Sequence, residues 1–430
     1  MNLFVAELKK SFRPLRVFAV LCIWFAVFGM YANVAFSDVD FAVSKRACEL
    51  VTSYYGTHLD ASERERLDTE LLGALKDDFN AKIAEHPAFI AADVKTYEEY
   101  RFLLHGKTYL SNMSEEQFNA MSDEDLMREF GVTKDVDRTL SDAELDLLAF
   151  ECPEAERARE IEFLGRVYSR IEDWVDFWYD DRERLADISA TDAFDYEVQQ
   201  MQRYFFTDAY TGNMPAEVSE SVGKCFRAVA VSVACSVLVL FCTTPAQDRI
   251  VQVDVLQAVT KKGKKILCTQ RQTAVFGAFA TALFGIIASA ILLHAVIPSL
   301  LWNNPMNSYQ SFFTVYYFSG TLRQYFWLCA VLLILFAVGI TMAGFAVSAI
   351  AKSYTGLLGL LIPVWVIGEV IANTVFKIPF SCRQSLQGTY LNDIMPFAYS
   401  EIAICALLAV TGIVFCSLCV RRRERELRNL

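Results

Sequence analysis

Apolar residues in this chain gather into six long runs separated by polar stretches of very unequal length. The first run, 17–36, has about twenty residues without a charge, the length that crosses the hydrocarbon of a bilayer. Five more come after it, at roughly 226–242, 273–297, 325–350, 355–376 and 397–420. Ahead of the first run, Phe4, Leu8 and Phe12 recur every four residues with Lys9, Lys10 and Arg13 elsewhere. That spacing predicts an amphipathic helix lying on the membrane surface over 1–16. A basic start before an apolar core also suits a signal peptide, but the run is long and lacks a small-x-small cleavage site, which favours a retained helix.

Between the first and second runs the pattern becomes polar and helical. Leu67, Leu71, Leu75, Phe79 and Ile83 share one helix face, and Ile161, Leu164, Tyr168, Ile171, Val175 and Trp178 follow a three-four spacing. Phe194, Val198, Met201 and Phe205 repeat it. Ser114 with Gln117, and Ser141 with Glu144, have the spacing of capping boxes. The expected fold class is all-α: a polytopic membrane protein of six transmembrane helices with an all-helical domain over 37–224, a surface helix over 1–16, a first span over 17–36, and the remaining five spans within 225–430.

Charge gives the arrangement a direction. The net charge is −11, but residues 38–222 carry roughly −24 and the rest roughly +13. The basic segments 9–16, 249–271, Lys352 and 421–428 all fall on one side if the spans alternate. By the positive-inside rule that side is cytoplasmic, which puts both termini in the cytoplasm, the acidic domain outside, and the chain in the plasma membrane as a multi-pass protein. The aromatic segment 298–324, with Trp302 and Tyr316, is expected at headgroup level on the outer side. A basic nucleic-acid surface is absent, because the cations outside the acidic block sit at the ends of apolar runs. Most of the 12 cysteines lie inside apolar runs as small hydrophobes. Cys48, Cys152 and Cys382 face the oxidising side, so a Cys48–Cys152 bridge and separate thiols both stay open.

The loop over 244–271 is the most informative segment. Its apolar centre, 250–259, is unnecessary for orientation and has the character of a docking segment, and the basic Lys261, Lys262, Gly263, Lys264, Lys265 comes after it. Leu256, Gln257, Ala258, Val259, Thr260, Lys261, Lys262, Gly263, Lys264, Lys265, Ile266, Leu267 resembles the cytoplasmic loop between spans two and three of the permease subunits of ABC exporters of the ABC-2 type. The surface helix before the first span and the tight turn from Ala343 to Ser353 are similar to that family too. Upstream of the loop the family often has Glu followed by Gly, where this chain has Asp248 and no glycine, and the domain over 37–224 belongs only to some branches of the family.

The resemblance implies a permease that couples ATP hydrolysis by a separate ABC ATPase subunit to export of a peptide, lipid or amphiphile. Val255, Leu256, Val259, Thr260, Lys261, Lys262, Gly263, Lys264 and Lys265 would then make the ATPase contact, and a second permease subunit, identical or different, would complete the transporter. No cofactor is expected in this chain, the ATP being used by the partner. A membrane-anchored sensor or immunity protein, with the outer domain binding a ligand or partner, is the alternative.

Enzymatic chemistry has little to stand on. The four histidines lack metal-ligand spacing, no nucleophile sits in a Gly-x-Ser-x-Gly setting, and Gly106, Lys107, Thr108 lacks the first glycine of a P-loop. No catalytic residue and no metal site is expected. Glu369 is the one carboxylate well inside a span, where it either lines a path or is hydrogen-bonded within the bundle. Gly277, Thr281, Gly285 and Ser289 form a small-residue stripe that permits close helix packing, within the chain or in a dimer.

Overall fold

A computed structural model of the protein describes residues 3–30, 33, 36, 39–57, 66–148, 161, 163–175, 214–253, 266–306, 314–316, 318, 320–377, 379–383 and 400–428. The chain divides into two compact units, Met1–Ala42 with Gly212–Leu430, and Val43–Thr211. It is an all-α polytopic membrane protein. Among the described residues five helices are long and apolar enough to cross a membrane, and six if the bent pair at the start counts as one span.

That bent pair is α1 (Leu3–Ser11) and α2 (Pro14–Ile23), which turn 54° against each other. Pro14 cannot donate a backbone hydrogen bond to the preceding turn, so it ends one helix and opens the next. α2 then runs into a π-helical turn, Trp24–Gly29. The segment 1–16 forms a helix over Leu3–Ser11, and its buried positions are polar. Glu7 and Ser11 are buried against the bundle while Val5 and Phe12 are exposed, because here the apolar medium is outside the protein.

The unit Val43–Thr211 is built from α3 (Val39–Tyr55), α4 (Gly73–Ile83), α5 (Pro87–Ala91), α6 (Tyr97–Arg101), α7 (Thr108–Asn112), α8 (Glu115–Ala120), α9 (Asp123–Phe130), α10 (Asp142–Leu148) and α11, the helix over 163–175. Its centre is aromatic: Phe79 meets Phe89, Tyr97, Tyr100 and Tyr168 at ring-centroid distances of 5.2 to 6.3 Å. A π-helical turn, Leu67–Leu72, precedes α4. Leu67, Leu71, Phe79 and Ile83 are buried as the pattern predicts, Leu72 is fully buried beside them, and Leu75 is only half-buried. The capping boxes read from sequence form as expected. Ser114 and Gln117 bond reciprocally, and Ser141 N donates to Glu144 Oε2 while Glu144 N donates to Ser141 Oγ. Leu110, Phe118 and Leu126 make a second small core under α7, α8 and α9.

The other unit continues with α12 (Ala216–Leu240), α13 (Thr244–Ile250), α14 (Ile266–Val296), α15 (Leu322–Ile350), α16 (Tyr354–Val375) and α17 (Ser400–Arg428). These helices overrun the apolar runs at several ends. α12 begins at Ala216, ahead of its run at 226, with a polar first stretch that includes Glu217 and Glu220. α15 opens at Leu322, ahead of its run at 325, because Thr321 caps it through a reciprocal box with Gln324.

α15 is the hub of this unit, packed against α12, α14, α16 and α17. The apolar windows of α12 and α15 are 83% and 67% buried within the chain, against 17% for α16, which places the first two at the centre and turns α16 toward lipid. α15 and α17 approach closely at two glycines, where a Cβ on Gly412 would lie 2.7 Å from the Gly339 carbonyl oxygen. The stripe on α14 packs inside the chain, since Gly277 faces the ring of Phe241 and Gly285 faces Val229.

Among the described residues β1 (Thr314–Tyr316) pairs antiparallel with β2 (Ser381–Arg383), with Val315 opposite Cys382. In the segment 298–324, Trp302 is buried and stacks on His294 at 4.3 Å. Phe194, Val198, Met201, Phe205 and Trp178 lie outside the described residues.

Candidate functional site

The loop residues expected to meet an ATPase, Val255, Leu256, Val259, Thr260, Lys261, Lys262, Gly263, Lys264 and Lys265, lie outside the described residues. The places where that segment leaves and rejoins the bundle are described. The expected loop over 244–271 is helical at both ends, because Pro245 opens α13 and α14 already begins at Ile266. Gln252, with φ of 57°, turns the chain out of α13 in the left-handed region.

α13 sits in a polar joint. Gln270 of α14 donates from Nε2 to Asp248 Oδ2 at 2.7 Å and to Glu7 Oε2 at 3.0 Å. Lys10 Nζ lies 2.9 Å from Glu7 Oε1 and 3.3 Å from Asp248 Oδ2. One ammonium and one amide thus hold two carboxylates contributed by α1 and α13. Glu7 is 3% exposed and Gln270 4% exposed, so neither group could lose its partners without leaving a buried polar atom unmet.

The same short helix is tied to the rest of the unit. Arg16, at the head of α2, donates to Gln247 Oε1 and, at 3.3 Å, to the Leu240 carbonyl. The Ala246 amide donates to Ser348 Oγ at 3.2 Å, and Arg249 donates to the Ile350 carbonyl at 2.8 Å, satisfying the open end of α15. Arg249 also lies 3.5 Å from Glu426 of α17, which Arg423 holds at 2.9 Å. Through these contacts α13 is bonded to α1, α2, α14, α15 and α17.

In the sequence, Asp248 stands out only as a departure from a family pattern, and Glu7, Lys10 and Gln270 do not stand out as site residues at all. A signal was available for Glu7, an acid in an otherwise basic surface helix. Gln270 gave none, since its partners lie 22 and 263 residues away.

The remaining candidates stand apart from this joint. Glu369 accepts from Asn373 Nδ2 at 2.8 Å, one turn along its own helix, while its Oε2 is buried with no hydrogen-bond partner among the described residues. Cys48 is buried with its Sγ 3.8 Å from Thr52 Oγ1, and Cys152 lies outside the described residues. Among the described residues no group of three or more His, Cys, Asp or Glu is placed to hold a metal ion.

The unit Val43–Thr211 has a charged cluster of its own. Glu172 accepts from Lys76 at 2.8 Å and from the Tyr97 hydroxyl at 3.0 Å, and Arg101 Nε lies 3.2 Å from it. Burial pulls the Lys76 ammonium down, but Glu172 and Glu98 outweigh it and hold the group above the ordinary lysine range. His105 meets Ser169 Oγ at 2.6 Å, with Asp173 at 3.6 Å, and burial lowers its pKa. An open groove of about 380 Å³ lies beside it, lined by Leu104, Thr108, Tyr109, Asn112 and Gln117.

The fold and this joint define a class, a polytopic all-α membrane protein with a second helical unit inserted between its first and second apolar segments. Comparison with protein-family models, curated proteins and solved structures finds no match for this chain.

Proposed function

We propose that the chain is the membrane subunit of an ATP-driven exporter of the ABC-2 type, working with a separate ATPase and a second permease subunit. The observation that carries this reading is the polar joint on α13. The residues the resemblance assigns to the ATPase contact, between Val255 and Lys265, follow in sequence on a helix bonded to α1, α2, α14 and α15, so a push on them would move the bundle as a body. A loop serving only to set orientation would need no such connections. The basic segments favour placing this end of the bundle in the cytoplasm, the termini with it, and the unit Val43–Thr211 outside the plasma membrane. In this arrangement the ATP is bound and hydrolysed by the partner, and this chain supplies movement and a path for a peptide, lipid or amphiphile.

The test is affinity purification from detergent-solubilised membranes, with wild type beside the Leu256→Asp, Val259→Asp double variant. Recovery of a P-loop ATPase with wild type and its loss from the variant are the expected results. Absence of any ATPase from the intact protein would sink the exporter reading and move attention to the unit Val43–Thr211 as a sensor.

A further inference from the structure

Each of the three helices of the polar joint carries a pair of oxygen-bearing side chains about one turn apart: Glu7 and Ser11 on α1, Thr244 and Asp248 on α13, Gln270 and Thr273 on α14. Glu7, Ser11, Thr244, Gln270 and Thr273 line a cavity of about 10 Å³ beside the ring of Phe241. That is room for one water-sized occupant.

Two of the lining atoms, Gln270 Oε1 and Thr244 Oγ1, are buried without a hydrogen-bond partner among the described residues. Thr244 is 5% exposed and Gln270 4%, so each unmet atom bears the cost of leaving water. The other donors at the cavity are already committed. The Gln270 amide nitrogen is given to Glu7 and Asp248, Ser11 Oγ donates to the Glu7 carbonyl at 3.4 Å, and Thr273 Oγ1 donates to the Thr269 carbonyl at 3.0 Å. What these side chains still offer is oxygen lone pairs.

Charge decides what they would hold. Glu7 and Asp248 bring two negative charges to the joint, and Lys10, which pairs with both, brings one positive charge. A residual negative charge beside oxygen lone pairs, in a space for one small particle, selects a cation over a neutral water. The residue of charge is single and both Glu7 oxygens are already engaged by Lys10 and Gln270, which disfavours a divalent ion, whose shell draws on free carboxylates.

We propose that this cavity binds one alkali-metal cation, sodium or potassium, held by Gln270 Oε1, Thr244 Oγ1 and the hydroxyl oxygens of Ser11 and Thr273, with the Glu7 and Asp248 pair supplying the balancing charge. Oxygen dipoles fixed by three helices take the place of the ion's water shell. The ion ties α1 and α13 to α14 at the joint. Neither an ATPase nor a second subunit is needed for this, so the proposal stands apart from the exporter reading.

The test melts the purified full-length chain in detergent in sodium, potassium or N-methylglucamine chloride at one ionic strength, the last cation being too large for the cavity. Wild type is expected to melt about 3 °C or more higher in sodium or potassium chloride than in N-methylglucamine chloride, with a rise that saturates as the alkali salt replaces the other. Thr244→Val removes an unmet oxygen and keeps the shape of the side chain. It should melt at or above the wild-type temperature in N-methylglucamine chloride and lose the gain from alkali salt. Glu7→Gln should lose the gain too, by removing the charge. Thr411→Val, at an exposed position of α17, is the control and should keep it.

Equal melting of wild type in all three salts assigns the cavity to water and overturns the proposal. A gain that survives in Thr244→Val, or one lost equally in the Thr411→Val control, overturns it as well. If Glu7→Gln does not fold, Thr244→Val decides alone, since the hydroxyl it deletes bonds to nothing else among the described residues.

Discussion

Gly165 marks the point where the core of the unit Val43–Thr211 has no room left. A Cβ there would lie 2.5 Å from Phe79 Cε2 and 2.7 Å from Tyr100 Cε1, and both rings are fully buried. Gly165→Leu is therefore expected to lower the stability of this unit by about 1–3 kcal/mol, read as faster hydrogen exchange over 73–107 and 163–175. Exchange at the wild-type rate would contradict the packing described. His105 gives the same unit a pH dependence. Burial favours its neutral form in the folded state, whereas the unfolded chain takes up a proton near the ordinary value of about 6.5. Stability from this group is thus complete above that pH and declines as pH falls below it. Protection of 163–175 should drop between pH 7 and pH 5 in wild type and drop less in His105→Gln.

Among the elements, α13 concentrates the most connections in the fewest residues. Gln270→Leu removes the amide that bridges Glu7 and Asp248, leaving both carboxylates with Lys10 alone. The expected cost is about 1–3 kcal/mol, seen as increased exchange or proteolysis over α1 with α15 unaffected. Uniform loosening of the whole unit would argue against a local joint. The α15–α17 contact makes a different demand. Gly412→Leu sets a side chain against the Gly339 backbone, which cannot rotate away, so a loss of thermal stability in detergent of about 1–3 kcal/mol is expected. Some of these features were legible in advance and some were not. The two capping boxes were, since each is a contact between residues three apart. The π-helical turn over Leu67–Leu72 was not, since it changes the period that a helical pattern assumes.

For the whole molecule, the distribution of basic segments predicts that external protease on intact cells cuts within 43–211 and spares 254–265. Cleavage in 254–265 alone would reverse the orientation. The sequence by itself determined the fold class, the acidic and basic segregation and the positions of the spans within a few residues at most ends. It could do so because hydrophobic length and charge are local properties, sensed by the membrane one segment at a time. Tertiary structure decided which spans lie at the centre and which face lipid, that the small-residue stripe of α14 packs on α12 within the chain, and that α1 turns Glu7 inward. Those outcomes depend on contacts such as Gln270 with Glu7, 263 residues apart, and no local pattern specifies which distant group will be present to satisfy a buried charge.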